Sequence, residues 1–296
     1  MKTFLIDCLC VLLIVAGVDL AYRVLCRHIY EHDVPADCQL SGMYAYQFAH
    51  DSVDMAVIGA STALYHYDEQ RMSDSLGIRV ANVSYEFMGM PYIYLCLERI
   101  VKDNPPQVVI LDLNAAQFER EANIDSYYRY LPYYWANPTV RQVVDQMIGA
   151  KHLLCYSALY QYNSSLRDIR RRYTRNEHHA GFIALPTNNH RFAAGERTTF
   201  EPIPLAEEYL KRSVRLCKDR HIFLIICHSP NLLQDSGFTD YMNAIASEYQ
   251  LPFWNFDKLP SVCSDTNNFY DDGHLNGIGA QIYTDTIIGR LHTIHF

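Results

Sequence analysis

Three short strand-like stretches, separated by two helical patterns, constrain this chain more than any other feature. They are Val53-Asp54-Met55-Ala56-Val57-Ile58, residues 78–83, and Val108-Val109-Ile110-Leu111. The first reads as a buried strand, 78–83 as a second strand, and the third, continuous and β-branched, as a strand buried as in a parallel sheet. Helical patterns over 68–76 and 91–102 separate them. Gly77 closes the first helix, and Pro91 sits at an early helical position, where its fixed φ is pre-organised. Asn104-Pro105-Pro106 stops the second. The alternation resumes with a helix over 205–219, a strand over 221–227, a helix over 237–249, a short strand over 252–256 and a last helix over 277–292. Strands separated by helices imply right-handed crossovers and a parallel sheet. The expected fold is α/β: a three-layer α/β/α sandwich of flavodoxin-like type around a five-stranded parallel sheet.

Two segments fall outside this alternation. Residues 4–18 form an apolar run broken by Asp7, and weaker apolar character reaches Leu25 past Asp19 and Arg23. A spanning helix needs about 20 residues, so residues 1–26 read as a membrane anchor with those charges near the interfaces. A cleaved signal peptide, with Val15-Ala16-Gly17 as a weak cleavage site, and a buried soluble helix are the alternatives. Lys2 precedes the segment while Arg23 and Arg27 follow it, so charge bias does not orient it. Residues 27–52 read as a connector and 53–296 as the main domain. Within that domain, 115–204 reads as an insertion of helices and loops, with helices near 138–149 and 151–172, lying over the sheet's carboxyl edge. It holds the cluster Tyr127, Tyr128, Tyr130, Tyr133, Tyr134 and Trp135.

A net charge of −8 argues against a general nucleic-acid binder, which needs a basic surface. The 23 tyrosines suit amphipathic packing at the core rim, or a surface that stacks on sugars. Nine cysteines, with no paired or zinc-type spacing, read as free and mostly buried thiols, with a Cys38 bridge left open.

Chemistry in an open α/β sheet sits at the carboxyl ends of the strands. Gly59-Ala60-Ser61-Thr62 leaves a serine there, so Ser61 is the candidate nucleophile, and a serine needs a base with an orienting partner. His178 and His179 read as solvated surface, His66 as the start of a helix pointing away, and His228 as a rim residue. His274 lies in a glycine-bearing loop just before the last helix, with Asp271 three residues earlier. Asp271 is the candidate orienter and Asp272 the runner-up. A pair of helix-start acid and loop histidine is the plainer alternative. For an oxyanion, the Ser61 N–H, Gly89 after the second strand and the Asn114 amide after the third are the candidate donors. A loop glycine and a helix cap are the corresponding plain readings.

The order Ser61, Gly89, Asn114, Asp271-x-x-His274 resembles the SGNH/GDSL hydrolase family. The strongest parts are Ile58-Gly59-Ala60-Ser61-Thr62-Ala63 and Asp271-Asp272-Gly273-His274-Leu275-Asn276. The sequence departs from that pattern at Ala60, where Asp is usual, and in the third block, Asp112-Leu113-Asn114-Ala115. The chain is similar to bacterial membrane-anchored cell-envelope members, with one inner-membrane helix and an extracytoplasmic catalytic domain. The α/β-hydrolase elbow is the rival, but there the serine follows several strands. The resemblance implies a serine esterase or O-acyltransferase without metal or cofactor, acting on ester groups, O-acetyl of envelope glycans first. A lipid ester is an alternative substrate. A non-catalytic glycan-binding partner is the reading from another class.

Overall fold

The computed structural model describes residues 1–28, 53–103, 105–163, 181–187, 200–233 and 237–294. The chain opens with helix α1 (Lys2–His28). The sheet comprises β1 (Met55–Gly59), β2 (Val80–Asn82), β3 (Val108–Asp112), β4 (Phe223–His228) and β5 (Phe253–Asn255), all parallel, in the order β2-β1-β3-β4-β5. Each lies on an expected strand. The fourth begins two residues later and ends one later than expected, the fifth is trimmed at both ends, and the second keeps only 80–82.

The helices, in chain order, are α2 (Ser61–His66), α3 (Glu69–Leu76), α4 (Met90–Asp103), α5 (Pro138–Ile148), α6 (Ala158–Gln161), α7 (Pro204–Asp219), α8 (Phe238–Tyr249), α9 (Pro260–Cys263) and α10 (Gly277–Leu291). β1 and β3 are buried along their whole length and β4 from Leu224 onward, as their composition requires. Met55, Val57, Val108, Ile110, Ile225 and Cys227 pack with Tyr67, Met72, Tyr283, Ile287 and Leu291, the layer that contains α3 and α10. The alternate residues Ala56, Ile58, Val109, Leu111, Leu224 and Ile226 are equally buried. On that side α4 and α7 pack on each other, α4 contacting β1 and α7 contacting β4. This is the three-layer sandwich expected.

Two elements differ from expectation. Residues after Ser61 form α2 rather than an open turn, and His66 ends a helix rather than beginning one. In place of one helix over 151–172, a 3-10 helix covers Gly149–Tyr156, and Ser157 interrupts before the single turn of α6. Residues 164–172 of that expected helix lie outside the described residues, as does Cys38. The eight described cysteines are free thiols; five are buried, Cys8 and Cys10 are exposed and Cys263 is intermediate.

Contacts divide the chain into two units. Residues 1–41 and 127–177 form one, and 42–126 with 178–296 form the other. The segment expected as one insertion over 115–204 is therefore shared between the two units.

Candidate active site

The strand order itself marks a place for chemistry. Crossovers leave β1 toward β2 on one side and toward β4 and β5 on the other. The β1/β3 pair is therefore the switch point, and a crevice opens beyond the carboxyl ends of those two strands. β1 ends at Gly59 and β3 at Asp112, which pair in register. Gly59 is required there. A Cβ on it would stand 2.6 Å from the Ala63 Cβ and 2.7 Å from the Asp112 carbonyl oxygen. Only a residue without a side chain lets the first turn of α2 settle against β3. Ser61 opens α2 just past that contact.

His274 reaches Ser61 from the loop before α10. The loop is closed by an antiparallel bridge between Phe269 and Leu275 and by the Tyr270 N–H donating to the His274 carbonyl at 2.8 Å. Inside it, one Asp271 carboxylate oxygen accepts from the backbone N–H groups of Gly273 and His274, both at 2.9 Å. The same carboxylate lies 2.8 and 3.0 Å from His274 Nδ1. His274 Nε2 is 2.8 Å from Ser61 Oγ. An ionised carboxylate only accepts, so Nδ1 carries the proton and Nε2 is the acceptor facing the serine hydroxyl. Burial pushes the Asp271 carboxyl up. Its hydrogen bond and charge contact with His274, with the two loop N–H groups, outweigh that and hold it below the usual carboxylate range. Asp271, rather than Asp272, occupies Nδ1. The Asp272 carbonyl accepts from the Leu232 N–H at 2.8 Å.

Asn114 lies close by in a different posture. Its Oδ1 caps the 3-10 turn Ala115–Phe118 by accepting from Ala116, in a capping box completed by Gln117. Its Nδ2 donates to Thr62 Oγ1 at 3.3 Å, one residue past Ser61. The cap reading holds for this side chain, and its amide lies one residue from Ser61. Gly89 is not part of this chain of hydrogen bonds. It is buried just before α4, where a Cβ would lie 2.6 Å from Asn123 Oδ1, and that oxygen accepts from the Met90 N–H. Among the described residues no group of His, Cys, Asp or Glu could hold a metal ion.

Three participants were not anticipated from sequence. His66 is fully buried, and its Nε2 accepts the Leu275 backbone N–H at 2.9 Å. Its proton is therefore on Nδ1, which has no hydrogen-bond partner. Burial, with His274 adjacent, drives its imidazole strongly toward the neutral form. Tyr65 turns the edge of its ring on His274, with centroids 5.5 Å apart, and its hydroxyl bonds Glu86. Asp112 sits beneath the serine turn. It accepts Thr62 Oγ1 and Ser229 Oγ, each at 2.5 Å, and the Tyr67 hydroxyl at 3.1 Å. Burial pushes its carboxyl up to about 6 against the pull of those three hydroxyls. A signal existed for Asp112, an acid closing an apolar strand at the switch point. None existed for His66, whose partner is a backbone N–H. His228, expected at the rim, is buried at the end of β4 with its ring against Phe238.

No family model and no curated protein matches the chain. Among solved structures, a GDSL-like lipase from Bacteroides thetaiotaomicron aligns at TM-score 0.43 and 12% identity, over 84% of this chain and 96% of that one. A psychrotrophic esterase from Pseudoalteromonas sp. aligns at TM-score 0.44 and 12% identity, over 81% and 97%.

Proposed function

We propose that this protein is a serine hydrolase of the SGNH/GDSL type, acting on ester bonds. The observation that carries the reading is the continuous hydrogen-bonded chain from Ser61 Oγ through His274 to Asp271 at the switch point. Ser61 Oγ attacks the ester carbonyl and passes its proton to His274 Nε2. Asp271 keeps the imidazole in the required tautomer and stabilises the imidazolium. The oxyanion that develops faces the Ser61 N–H at the first turn of α2, where helix N–H groups have no intrahelical acceptor. The Asn114 amide is the second donor, and Gly89 the third. His274 then protonates the leaving alkoxide. Water, or the hydroxyl of an acceptor sugar, takes the acyl group from Ser61.

The finer reading is an esterase or O-acyltransferase acting on O-acetyl groups of cell-envelope glycans. α1 serves as its membrane span and the hydrolase domain lies outside the cytoplasm, as the family resemblance implies. A lipid ester is the second reading, favoured by α1, a helix long and apolar enough to cross a membrane. The triad geometry weighs against a non-catalytic glycan-binding partner. A fluorophosphonate probe distinguishes them. The parent should label at Ser61 and hydrolyse a small aryl ester, and Ser61→Ala should do neither. Undiminished turnover by the alanine variant would sink the mechanism.

A further inference from the structure

The polar residues in the second half of α1 have partners. Asp19, Tyr22, Arg23 and Cys26 recur at helical spacing and so share one stripe. The Asp19 carboxylate accepts Ser157 Oγ at 2.6 Å and the backbone N–H groups of Ala158 and Leu159, each at 3.0 Å. Arg23 donates to the Tyr156 carbonyl at 2.5 Å and reaches Gln161 Oε1 at 3.5 Å. The Tyr22 hydroxyl donates to the Tyr162 carbonyl at 3.1 Å, and Cys26 is buried with Ala158 and Tyr162. The stripe that interrupts the apolar run is therefore covered by the segment 156–162. What remains uncovered on these turns is apolar: Leu20, Val24 and Leu25 are all exposed. From Phe4 to Leu25 the apolar surface, broken by Asp7 near its start, is about 33 Å long at 1.5 Å per residue, close to a bilayer's hydrocarbon thickness. Phe4 to Val18 alone gives only about 22 Å, so the covered turns must lie at membrane depth if α1 spans.

The covering segment has an apolar outer face. Leu153, Leu154, Tyr156 and Leu159 are between 44 and 64% exposed. Among the described residues after α1, eight large apolar side chains are exposed, and these four with Trp135 make five of them. Trp135 stacks on Tyr156 with centroids 4.9 Å apart and donates its indole N–H to the Cys155 carbonyl. An aromatic pair of this kind beside a spanning helix suits the membrane–water boundary. Exposed apolar clusters of this density mark a surface that is covered in use.

We propose that Leu153, Leu154, Tyr156 and Leu159 enter the lipid bilayer beside α1, so that the anchor is a spanning helix plus a docked interfacial segment. The occupant is lipid because the face is continuous with the end of α1, whose own surface needs hydrocarbon to the same depth. This rests on α1 spanning the membrane. The test uses the full chain in nanodiscs of phosphatidylcholine and phosphatidylglycerol carrying a diazirine in the acyl chain, with adducts mapped by mass spectrometry. Adducts on 4–18 and also on 149–159 are expected. Leu153→Asp combined with Leu154→Asp should lose the second set and keep the first. Adducts on 4–18 with none on 149–159 overturn the proposal while leaving the span intact. A chain-to-chain product through 149–159 in the same sample also overturns it, because the occupant is then a second copy. Absence of adducts on 4–18 overturns the span itself.

Discussion

The bond from the Leu275 N–H to His66 Nε2 ties Ser61 to His274 through one short helix, since α2 begins with the serine and ends with the histidine. His66→Phe keeps the ring and removes the acceptor. The buried Leu275 N–H is then unsatisfied, at a cost of about 1–3 kcal/mol. Urea denaturation should show that loss, and kcat on an aryl ester should fall more than KM changes, because the base drifts from the nucleophile. His66→Gln, which retains an acceptor, should recover part of both. Equal kcat and stability in His66→Phe would remove this positioning role. Asp112 gives a second readout. Its folded-state carboxyl sits near 6 instead of 3.8, so the folded protein holds a proton that the unfolded chain releases. The contribution is complete below about pH 4 and is lost as pH rises to 6 and beyond, about 3 kcal/mol for two units. Glu69, pushed up to about 6 by burial, adds a slope of the same sign. His66, kept neutral by burial, opposes both over the same range, so Asp112→Asn should shift the slope of stability between pH 4 and 6 toward greater stability with rising pH. A slope identical to the parent's would show that Asp112 does not titrate there. Asp271, held low, acts oppositely, and its contribution is lost only as pH falls below about 4.

At the scale of elements, the sheet was legible and the connections around the site were not. β1, β3 and β4 are apolar runs that suit a doubly covered position, and every expected strand is found in the sheet. The order β2-β1-β3-β4-β5 leaves no trace in any single segment, because it depends on which runs pair. α2 was missed for a related reason. Six residues with a β-branched Thr and no side-chain cap make a poor isolated helix, and it is tertiary packing on α10 and β1, with the Thr62 hydroxyl bonded to Asp112, that holds it. The hydrogen-bonded chain Ser61–His274–Asp271 was legible because residue types and chain order carry it. Asn114 was legible only as a choice between cap and site, and the structure gives it the cap together with a bond to Thr62. Gly59→Ala tests the packing of α2. The added methyl meets Ala63 Cβ and a β3 carbonyl at 2.6 and 2.7 Å, and the carbonyl belongs to a paired strand that cannot withdraw. A loss of about 1–3 kcal/mol is expected, with fluorophosphonate labelling of Ser61 slowed beyond what unfolding explains. Labelling at the parent rate would mean that α2 shifts without moving its serine.

For the whole molecule, α1 was legible by length and apolarity, while the docking of its second half was not. Asp19 and Arg23 read from sequence as breaks in an apolar run, because their partners at 156–161 lie about 140 residues away. A membrane span and a cleaved signal make opposite statements about the mature chain. If α1 is retained, the peptide beginning at Met1 or Lys2 should be found by mass spectrometry in protein purified from membranes, and the protein should resist alkaline carbonate extraction. A mature chain beginning near Gly17 or Val18 would identify a signal peptide and end the anchor reading. Substitution separates the two halves of α1. Leu12→Asp with Ile14→Asp places two carboxylates near the middle of the run, each costing about 3 kcal/mol on insertion, so the chain should leave the membrane fraction. Asp19→Leu removes three hydrogen bonds to 157–159 but makes the helix more apolar, so it should stay in the membrane while residues 149–162 become more sensitive to protease. Release of the Asp19→Leu chain from the membrane would mean that the docked segment, rather than the apolar run, holds the protein there.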